Sequence, residues 1–514
     1  MSSEVGRSSS VKAGAVLSYA VIGVQFVVAM LYTPTVLRLM GPSEFGLYSL
    51  VLSIVAYLSL ISFGLGDAYI RFFARFTVVG DWDALRRLNG MFLMLFGVMG
   101  IVATLFGLLM IRNVEAILGS QYSAAELQTA RILFAIMVAN LALTFPFSLF
   151  SSFVIAHERF VFQKVLQIVG ALIVPMIVVP VLMLGHQAVG MALAVSLVNF
   201  AISLRTAVYA RVTLQMRFYF RGLNFSLLRE VWVFSSFLFL NMLVNQINWN
   251  VDRFIIGRFL GAIPVAVYAV AAIFNLSYIG FSTAISNVFV PRIHRMISTP
   301  HSAQDVRDLF VRVGRIQFLV LGLVLTGFMF FGRAFIELWA GDEYVESYAI
   351  AVVLMVPVTI PLIQNLGIEI QKARNLHQFR SWVYFAVALG NVVLSIPLTQ
   401  RYGAIGAASA TAIALVVGNV IVMNWHYGAR VGLDVKVFWR EISRVAVGML
   451  PAVLFGLAML STVELSSIVS LGVFGAIYIL VYWSGAWVLG MNDYEKDLFL
   501  SVLQRLPLRP KLGR

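Results

Sequence analysis

Along almost the whole chain, long apolar runs alternate with short breaks that hold the charged and turn-forming residues. A helix needs about 20 consecutive apolar residues to cross a bilayer, and fourteen runs reach or approach that length. They are Ala13–Arg38, Phe45–Ile70, Leu88–Ile111, Ile132–Ala156, Phe162–Leu184, Ala188–Ala210, Val231–Phe259, Pro264–Pro291, Arg312–Leu338, Tyr348–Gln371, Trp382–Thr399, Ala404–Trp425, Val445–Ser461 and Ser467–Leu489. The hairpins around Gly185 and Gly403 leave a very short turn between two helices. Peptide groups surrounded by lipid must be hydrogen-bonded within their own segment, which here means helices. The pattern predicts an all-α polytopic membrane protein of about fourteen transmembrane helices.

Composition narrows the function classes. Hydrophobic residues make up 61% of the 514 and charged ones 12%, against about 45–50% and about 25% in soluble domains. No stretch is polar enough for a separate soluble domain, so a soluble enzyme is excluded. Cysteine is absent, which removes disulfides, thiolate metal sites and cysteine nucleophiles. The histidines lack metal-ligand spacing. No Walker or Rossmann glycine pattern is present either, since Gly64-Leu65-Gly66 lacks a third glycine and reads as a helix end. No cofactor and no metal are expected.

Charge sets the expected orientation, because cationic residues favour cytoplasmic loops. Of 37 Lys and Arg, 30 fall in one set of alternate loops and in the two termini. Only Arg38, Arg112, Arg131, Arg258, Arg333 and Arg401 lie in the opposite loops, and Arg253 lies inside a span. Both termini are expected in the cytoplasm. The N-terminus has no short apolar core with a cleavage site, so the first run reads as a retained helix. The net charge of +14 is then mostly topology and attraction to anionic membrane lipids, not nucleic-acid binding.

A shift of 220 positions reveals an internal repeat. Arg38-Leu39-Met40-Gly41 falls on Arg258-Phe259-Leu260-Gly261, Tyr48 on Tyr268, Ser62 on Ser282 and Arg75 on Arg295. Further on, with small gaps, Ala188-Val189-Gly190-Met191-Ala192 matches Ala404-Ile405-Gly406-Ala407-Ala408. The unit is six helices, an even number, so both copies enter the membrane from one side as parallel repeats, an arrangement that places a substrate path between two lobes.

Three segments carry a family resemblance: Leu39-Met40-Gly41-Pro42-Ser43-Glu44-Phe45-Gly46-Leu47-Tyr48, Asp252-Arg253-Phe254-Ile255-Ile256-Gly257-Arg258-Phe259-Leu260-Gly261 and Tyr402-Gly403-Ala404-Ile405-Gly406-Ala407-Ala408-Ser409-Ala410-Thr411. The chain resembles, over nearly its whole length, the polysaccharide transporters of the MOP flippase superfamily, the Wzx-type flippases of lipid-linked oligosaccharide. The resemblance implies a MOP/MATE-like fold with a cytoplasmic N-terminus at 1–12 and a six-helix lobe at 13–215. A linker at 216–230, a second six-helix lobe at 231–428, two added helices at 429–490 and a cytoplasmic tail at 491–514 follow. It also implies translocation of an undecaprenyl-diphosphate-linked O-antigen, capsule or exopolysaccharide unit across a bacterial inner membrane by alternating access. Expected partners are the lipid-linked glycan, a coupling proton or cation, membrane lipids, and a glycan polymerase or synthase. Two other readings stand beside it: a MATE-like drug–cation antiporter, and a non-transporting partner of a polysaccharide synthase. By resemblance, a MATE-type antiporter would carry charge in the first helix, and this chain has none between Lys12 and Arg38.

The seventh span holds the least typical residues. Asn241, Asn245, Asn248 and Asp252 recur at steps of four, three and four, hence on one helical face. Gln246, Asn250 and Arg253 form a second row, and Leu240, Val244, Ile247, Val251 and Ile255 the opposite face. A charge at a helix centre costs about 2.5–3.5 kcal/mol on insertion scales, so such residues face a cavity or a partner. The matching first-span positions, Val21, Gln25, Val28 and Tyr32, are a weaker stripe. Arg suits a diphosphate because its planar fork donates paired hydrogen bonds. Arg71 and Arg75, with Asp67 on the same face, and Arg292 and Arg295 stand at equivalent inner ends of the two lobes, as head-group ligands or as topological charge. Arg38 and Arg258 are repeat-related on the outer side, against the topological bias. Asp67, Asp252 and Glu369 are the candidates for ion coupling; for Glu369 a salt bridge to Lys372 is the alternative. A glycan polymerase or ligase would need an external loop with convergent carboxylates, and the longest outer loop, 112–131, has only Glu115 and Glu126.

Orientation is checked by single cysteines, which the cysteine-free chain makes clean. A cysteine at Ser120 reacts with an impermeant reagent from outside and one at Ser302 does not; the reverse labelling overturns the expected topology.

Overall fold

The computed structural model describes residues 2–221, 225–298, 303–374 and 376–505. Eighteen α-helices follow in order among them, with no strand. The first lobe's sequence forms α1 (Ser2–Leu58), α2 (Leu65–Val79), α3 (Trp82–Arg112), the short α4 (Val114–Leu118), α5 (Ala124–Ala156), α6 (Phe160–Met183) and α7 (Gln187–Val208). Then come α8 (Phe225–Leu260), α9 (Ala262–Ser298), α10 (Ala303–Ala340), α11 (Ser347–Ile363), α12 (Asn365–Ala373), α13 (His377–Tyr402) and α14 (Ala404–Leu415). The last are α15 (Asn424–His426), which lies between two π-helical stretches, α16 (Val435–Thr462), α17 (Ile468–Gly485) and α18 (Asp493–Arg505).

Among the described residues, twelve helices are long and apolar enough to cross a membrane, and α11 with α12, bent by 42°, makes a thirteenth passage. One of the twelve, residues 20–79, is 60 residues long. At 1.5 Å per residue that is about 90 Å, three times a hydrocarbon core of about 30 Å. It breaks at Gly41 (φ 73°, ψ 169°), so it supplies two of the fourteen expected passages. All fourteen runs therefore fall on helices, most of which run further than the apolar stretches do. A helix end does stand at the Gly64-Leu65-Gly66 segment: the helical run closes at Ser62, Phe63 and Gly64 are left-handed, and Leu65 begins α2.

The chain divides into two compact units, Met1–Ala269 with Thr399–Ala404, and Val270–Leu398 with Ile405–Arg514. In the first, Leu65, Ala68, Tyr69, Phe72 and Phe73 of α2 pack into an aromatic core with Phe92, Phe96 and Phe153. The Tyr69 hydroxyl donates to Asn89 Oδ1 at 2.6 Å, and Asn89 Nδ2 donates to the Arg217 carbonyl at 2.9 Å. That burial fixes the opposite face of α2, with Asp67, Arg71 and Arg75, in the open.

Turns of the same unit are stapled by the Gly41-to-Gly46 motif. Ser43 donates to Glu126 Oε1 at 3.0 Å, and Glu44 Oε2 accepts from the Ala188 amide at 3.3 Å at the start of α7. Gly46 is required by approach: a β-carbon there would stand 1.9 Å from the Ala262 carbonyl oxygen.

In the second unit the added helices are held by ions. Arg315, 3% exposed, donates from Nε and Nη2 to Glu495 at 2.6 and 2.8 Å, and from Nη1 to Glu441 Oε2 at 3.0 Å. Its Nη2 also donates to the Gly490 carbonyl at 2.8 Å. Glu495, 3% exposed, sits in the first turn of α18, in the segment expected to be a cytoplasmic tail. Nearby, Tyr482 donates to the Leu319 carbonyl at 2.7 Å and closes α17 on α10.

Removing one member of a buried ion cluster leaves the others uncompensated, at a cost of roughly 3–5 kcal/mol. Arg315→Met lowers the thermal midpoint in detergent by a corresponding amount. Arg315→Met with Glu441→Gln and Glu495→Leu recovers most of it, whereas an unchanged midpoint in the single variant refutes the clamp.

Candidate functional site

The seventh expected span is α8, and its rows do not share one environment. Val244, Val251 and Ile255 of the apolar face are buried. Asn245 is exposed, and Asn248, Asn250 and Arg253 are half-buried; the Asn241 side chain lies outside the described residues. Asp252 is 3% exposed, and the Tyr268 hydroxyl donates to its Oδ2 at 2.6 Å. The expectation of four residues facing a cavity together is thereby corrected, since a buried carboxylate needs a donor and α9 brings one. Beside it, Arg253 Nε and Gln246 Nε2 are buried without a hydrogen-bond partner among the described residues.

The repeat explains the pairing. Asp252 and Tyr268 correspond to Tyr32 and Tyr48 in the first copy, where Tyr32 lies beside Tyr48 and its hydroxyl is buried with no partner. Both copies end this helix at a glycine of positive φ, Gly41 and Gly261.

Arg258 is half-buried against the Gly119 backbone. Tyr122 donates to the Gly257 carbonyl at 2.7 Å, Gln121 donates to the same oxygen at 3.2 Å, and Gln121 also donates to the Arg258 carbonyl. The 112–131 loop thus caps α8, and Arg258 fits as part of that cap. Arg38, its repeat partner, is exposed.

Arg75 and Arg71 belong to a cavity of about 570 Å³ between α2 and the start of α8, with Arg229 and Glu230. Arg75 pairs with Glu230 at 2.8 Å, both more than half exposed, and Arg71 lies 4.4 Å over the Phe234 ring. Asp67, four residues before Arg71, forms no ion pair among the described residues. In the second unit Arg292 and Arg295 belong to a cavity of about 650 Å³ with Arg312, Asp305 and Asp308 from α10. Glu369 pairs with Lys372 at 2.8 Å and stands 3.9 Å from His294 Nε2; the salt bridge was foreseen and the histidine was not.

Residues 11–297, more than half of the chain, match the family model described as polysaccharide biosynthesis protein. The chain belongs to that family. A Shigella flexneri protein assigned as an O-antigen transporter is 22% identical over 404 residues, covering 76% of this chain and 91% of the relative. Among solved structures, the lipid II flippase MurJ in an inward closed conformation has a TM-score of 0.73 at 15% identity, covering 95% of this chain and 99% of that one. An inward-facing multidrug resistance MATE family transporter of the MOP superfamily has 0.60 at 12%, covering 82% and 99%. The fold is that of the MOP superfamily, and these relatives are transporters and flippases, not enzymes.

In this member of the polysaccharide biosynthesis protein family, sequence reasoning missed Glu230, Arg229 and Arg312, which join the arginines only when helices pack. It also missed a third cavity, in the first unit, lined by amides from three helices. The i, i+4 pair Gln163 and Gln167 in an otherwise apolar run was the available signal.

Tyr268→Phe removes the hydroxyl that donates to the buried Asp252 Oδ2 and costs roughly 1–3 kcal/mol, read as a lower thermal midpoint. Asn245→Leu, on the exposed row, leaves the midpoint in place; equal destabilisation by both makes the whole row helix packing.

Proposed function

We propose that this protein is a flippase that carries an undecaprenyl-diphosphate-linked oligosaccharide across the bacterial inner membrane by alternating access, with both termini in the cytoplasm. The observation that carries this reading is the pair Arg75 and Arg295. They are equivalent in the repeat, and each lines a cavity with two further arginines at the end of a long helix. A diphosphate is recognised by such forks, with two parallel donors per guanidinium. Family membership and the Shigella O-antigen transporter support the substrate class; the lipid II flippase supports the mode of action through its fold.

The existing partner of Arg75 is no obstacle. An exposed ion pair such as Arg75 with Glu230 is worth about 0–1 kcal/mol, less than a charge-assisted bidentate bond to phosphate contributes. Head-group capture can therefore displace Glu230. Among Asp67, Asp252 and Glu369, Glu369 fits a coupling role best, because it stands against two cationic or ionisable neighbours, Lys372 at 2.8 Å and His294 Nε2 at 3.9 Å.

Arg75→Gln with Arg295→Gln lowers surface glycan by about ten-fold or more, since each loses a paired phosphate contact. Arg87→Gln with Arg430→Gln, both exposed cationic residues, stays near wild type. Lysine at 75 and 295 restores part of the loss. The measurement is glycan display in a strain lacking its own transporter, with membrane abundance followed alongside; equal behaviour of the two glutamine pairs returns Arg75 and Arg295 to topology alone.

A further inference from the structure

We propose that a groove inside the first unit holds the sugar portion of the translocated lipid through neutral carboxamides and hydroxyls. The proposal rests on the flippase reading and names a site for one part of its cargo. The groove has a volume of about 620 Å³, within the range of about 300–1,000 Å³ typical of small-molecule sites. Gln25 and Tyr32 reach it from α1, Gln163 and Gln167 from α6, and Asn199 and Thr206 from α7. Gly170 brings α6 and α7 together: a β-carbon there would stand 2.8 Å from Ile202 Cδ1.

Amides in membrane helices are costly unless something meets them, and interhelical bonding is their ordinary use. Gln163 is used that way, donating to the Ser151 carbonyl of α5 at 3.2 Å. Gln167 accepts from Lys164 at 3.3 Å and Thr206 donates to the Ile202 carbonyl at 2.9 Å, each within its own helix. The remainder is not. Gln25 and Asn199 are exposed and make no hydrogen bond among the described residues, and the Tyr32 hydroxyl is buried without a partner.

The lining selects among ligands. No charged side chain is part of it, so it offers a cation no counter-charge and a diphosphate no arginine. An isoprenoid chain matches only the apolar part of the lining and leaves the amides Gln25 and Asn199 unmet. A carboxamide presents one acceptor and two donors, which is the complement of a sugar hydroxyl that both donates and accepts. Val28, Leu166 and Val174 lie between the polar groups and suit the C–H faces of a pyranose ring. The repeat reinforces the assignment: the position that carries Asp252 in the second copy carries Tyr32 here, so this copy is neutral where the other is charged.

The test uses the full-length protein in nanodiscs and two probes: bare undecaprenyl diphosphate, and the undecaprenyl-diphosphate-linked glycan extracted from the producing strain. Wild type binds the glycolipid ten-fold or more tighter than the bare lipid. Gln25→Leu with Asn199→Leu closes that gap while bare-lipid affinity stays within about two-fold, and Gln25→Asn with Asn199→Gln keeps most of it. In the unsubstituted groove, a photoreactive side chain in place of Leu166 attaches to the glycan. A gap unchanged by the leucine pair, or attachment to the isoprenoid chain alone, overturns the groove and leaves the flippase reading standing. Tighter binding of the bare lipid by the leucine pair assigns the groove to the tail and also overturns the proposal. Wild type that binds neither probe overturns both.

Discussion

Every polar side chain carried into a bilayer has to be met by a partner or by water, and the internal geometry of each unit follows from how this chain meets that demand. Arg315 is the extreme case, a buried guanidinium answered by two carboxylates and two carbonyls. Gln317 donates to Ser282 and Ser286 at 3.1 and 2.6 Å, and Ser282 in turn donates to the Leu362 carbonyl at 3.0 Å. Between them these bonds join α9, α10, α11, α16 and α18, so the polar residues of the second unit act as its joints. Apolar packing alone discriminates poorly between helix neighbours in lipid, because lipid tails are as apolar as leucine. A hydrogen bond with one geometry does discriminate.

The same demand explains what the family-like motifs report. Gly41 permits a turn at positive φ, Ser43 and Glu44 bind the starts of two other helices, and Gly46 lets a backbone come close. These are requirements of the fold at these turns, and no cargo touches the explanation. On the proposed reading, the chemistry that separates one carrier from another sits elsewhere, in the arginine cavities and in the amide groove.

This division sets how much was readable in advance. The passages were legible because a run of about 20 apolar residues leaves the backbone no alternative to a helix. Their ends were not, since helices continue into the charged flanks where hydropathy falls but hydrogen bonding does not. Glu495 could not be foreseen in the core, because α18 is charge-rich and its partner Arg315 is 180 residues away in sequence. Asp252 was correctly singled out as atypical and wrongly grouped with Asn245, because spacing along one helix carries no information about the tyrosine that a neighbouring helix supplies. The amide groove escaped for a related reason: Gln25, the pair Gln163 and Gln167, and Asn199 lie in three separate runs, and only packing makes them one surface.

The separation of the arginine cavities from the amide groove fits the two chemistries that a lipid-linked glycan would present. A diphosphate demands fixed positive charge, and a sugar chain demands neutral groups that donate and accept. Placing both in one pocket would oblige each arginine to shed water whenever a sugar passed, a cost of several kcal/mol per ion in a water-poor site. In this chain the arginines stand near helix ends, where Arg75 and Arg71 remain exposed, while the groove among α1, α6 and α7 is free of charge. The substitution of tyrosine for aspartate between the copies, Tyr32 against Asp252, belongs to that separation. A carboxylate at position 32 would require a donor, as the buried Asp252 takes one from Tyr268, and would bring a charge into a groove whose lining has none.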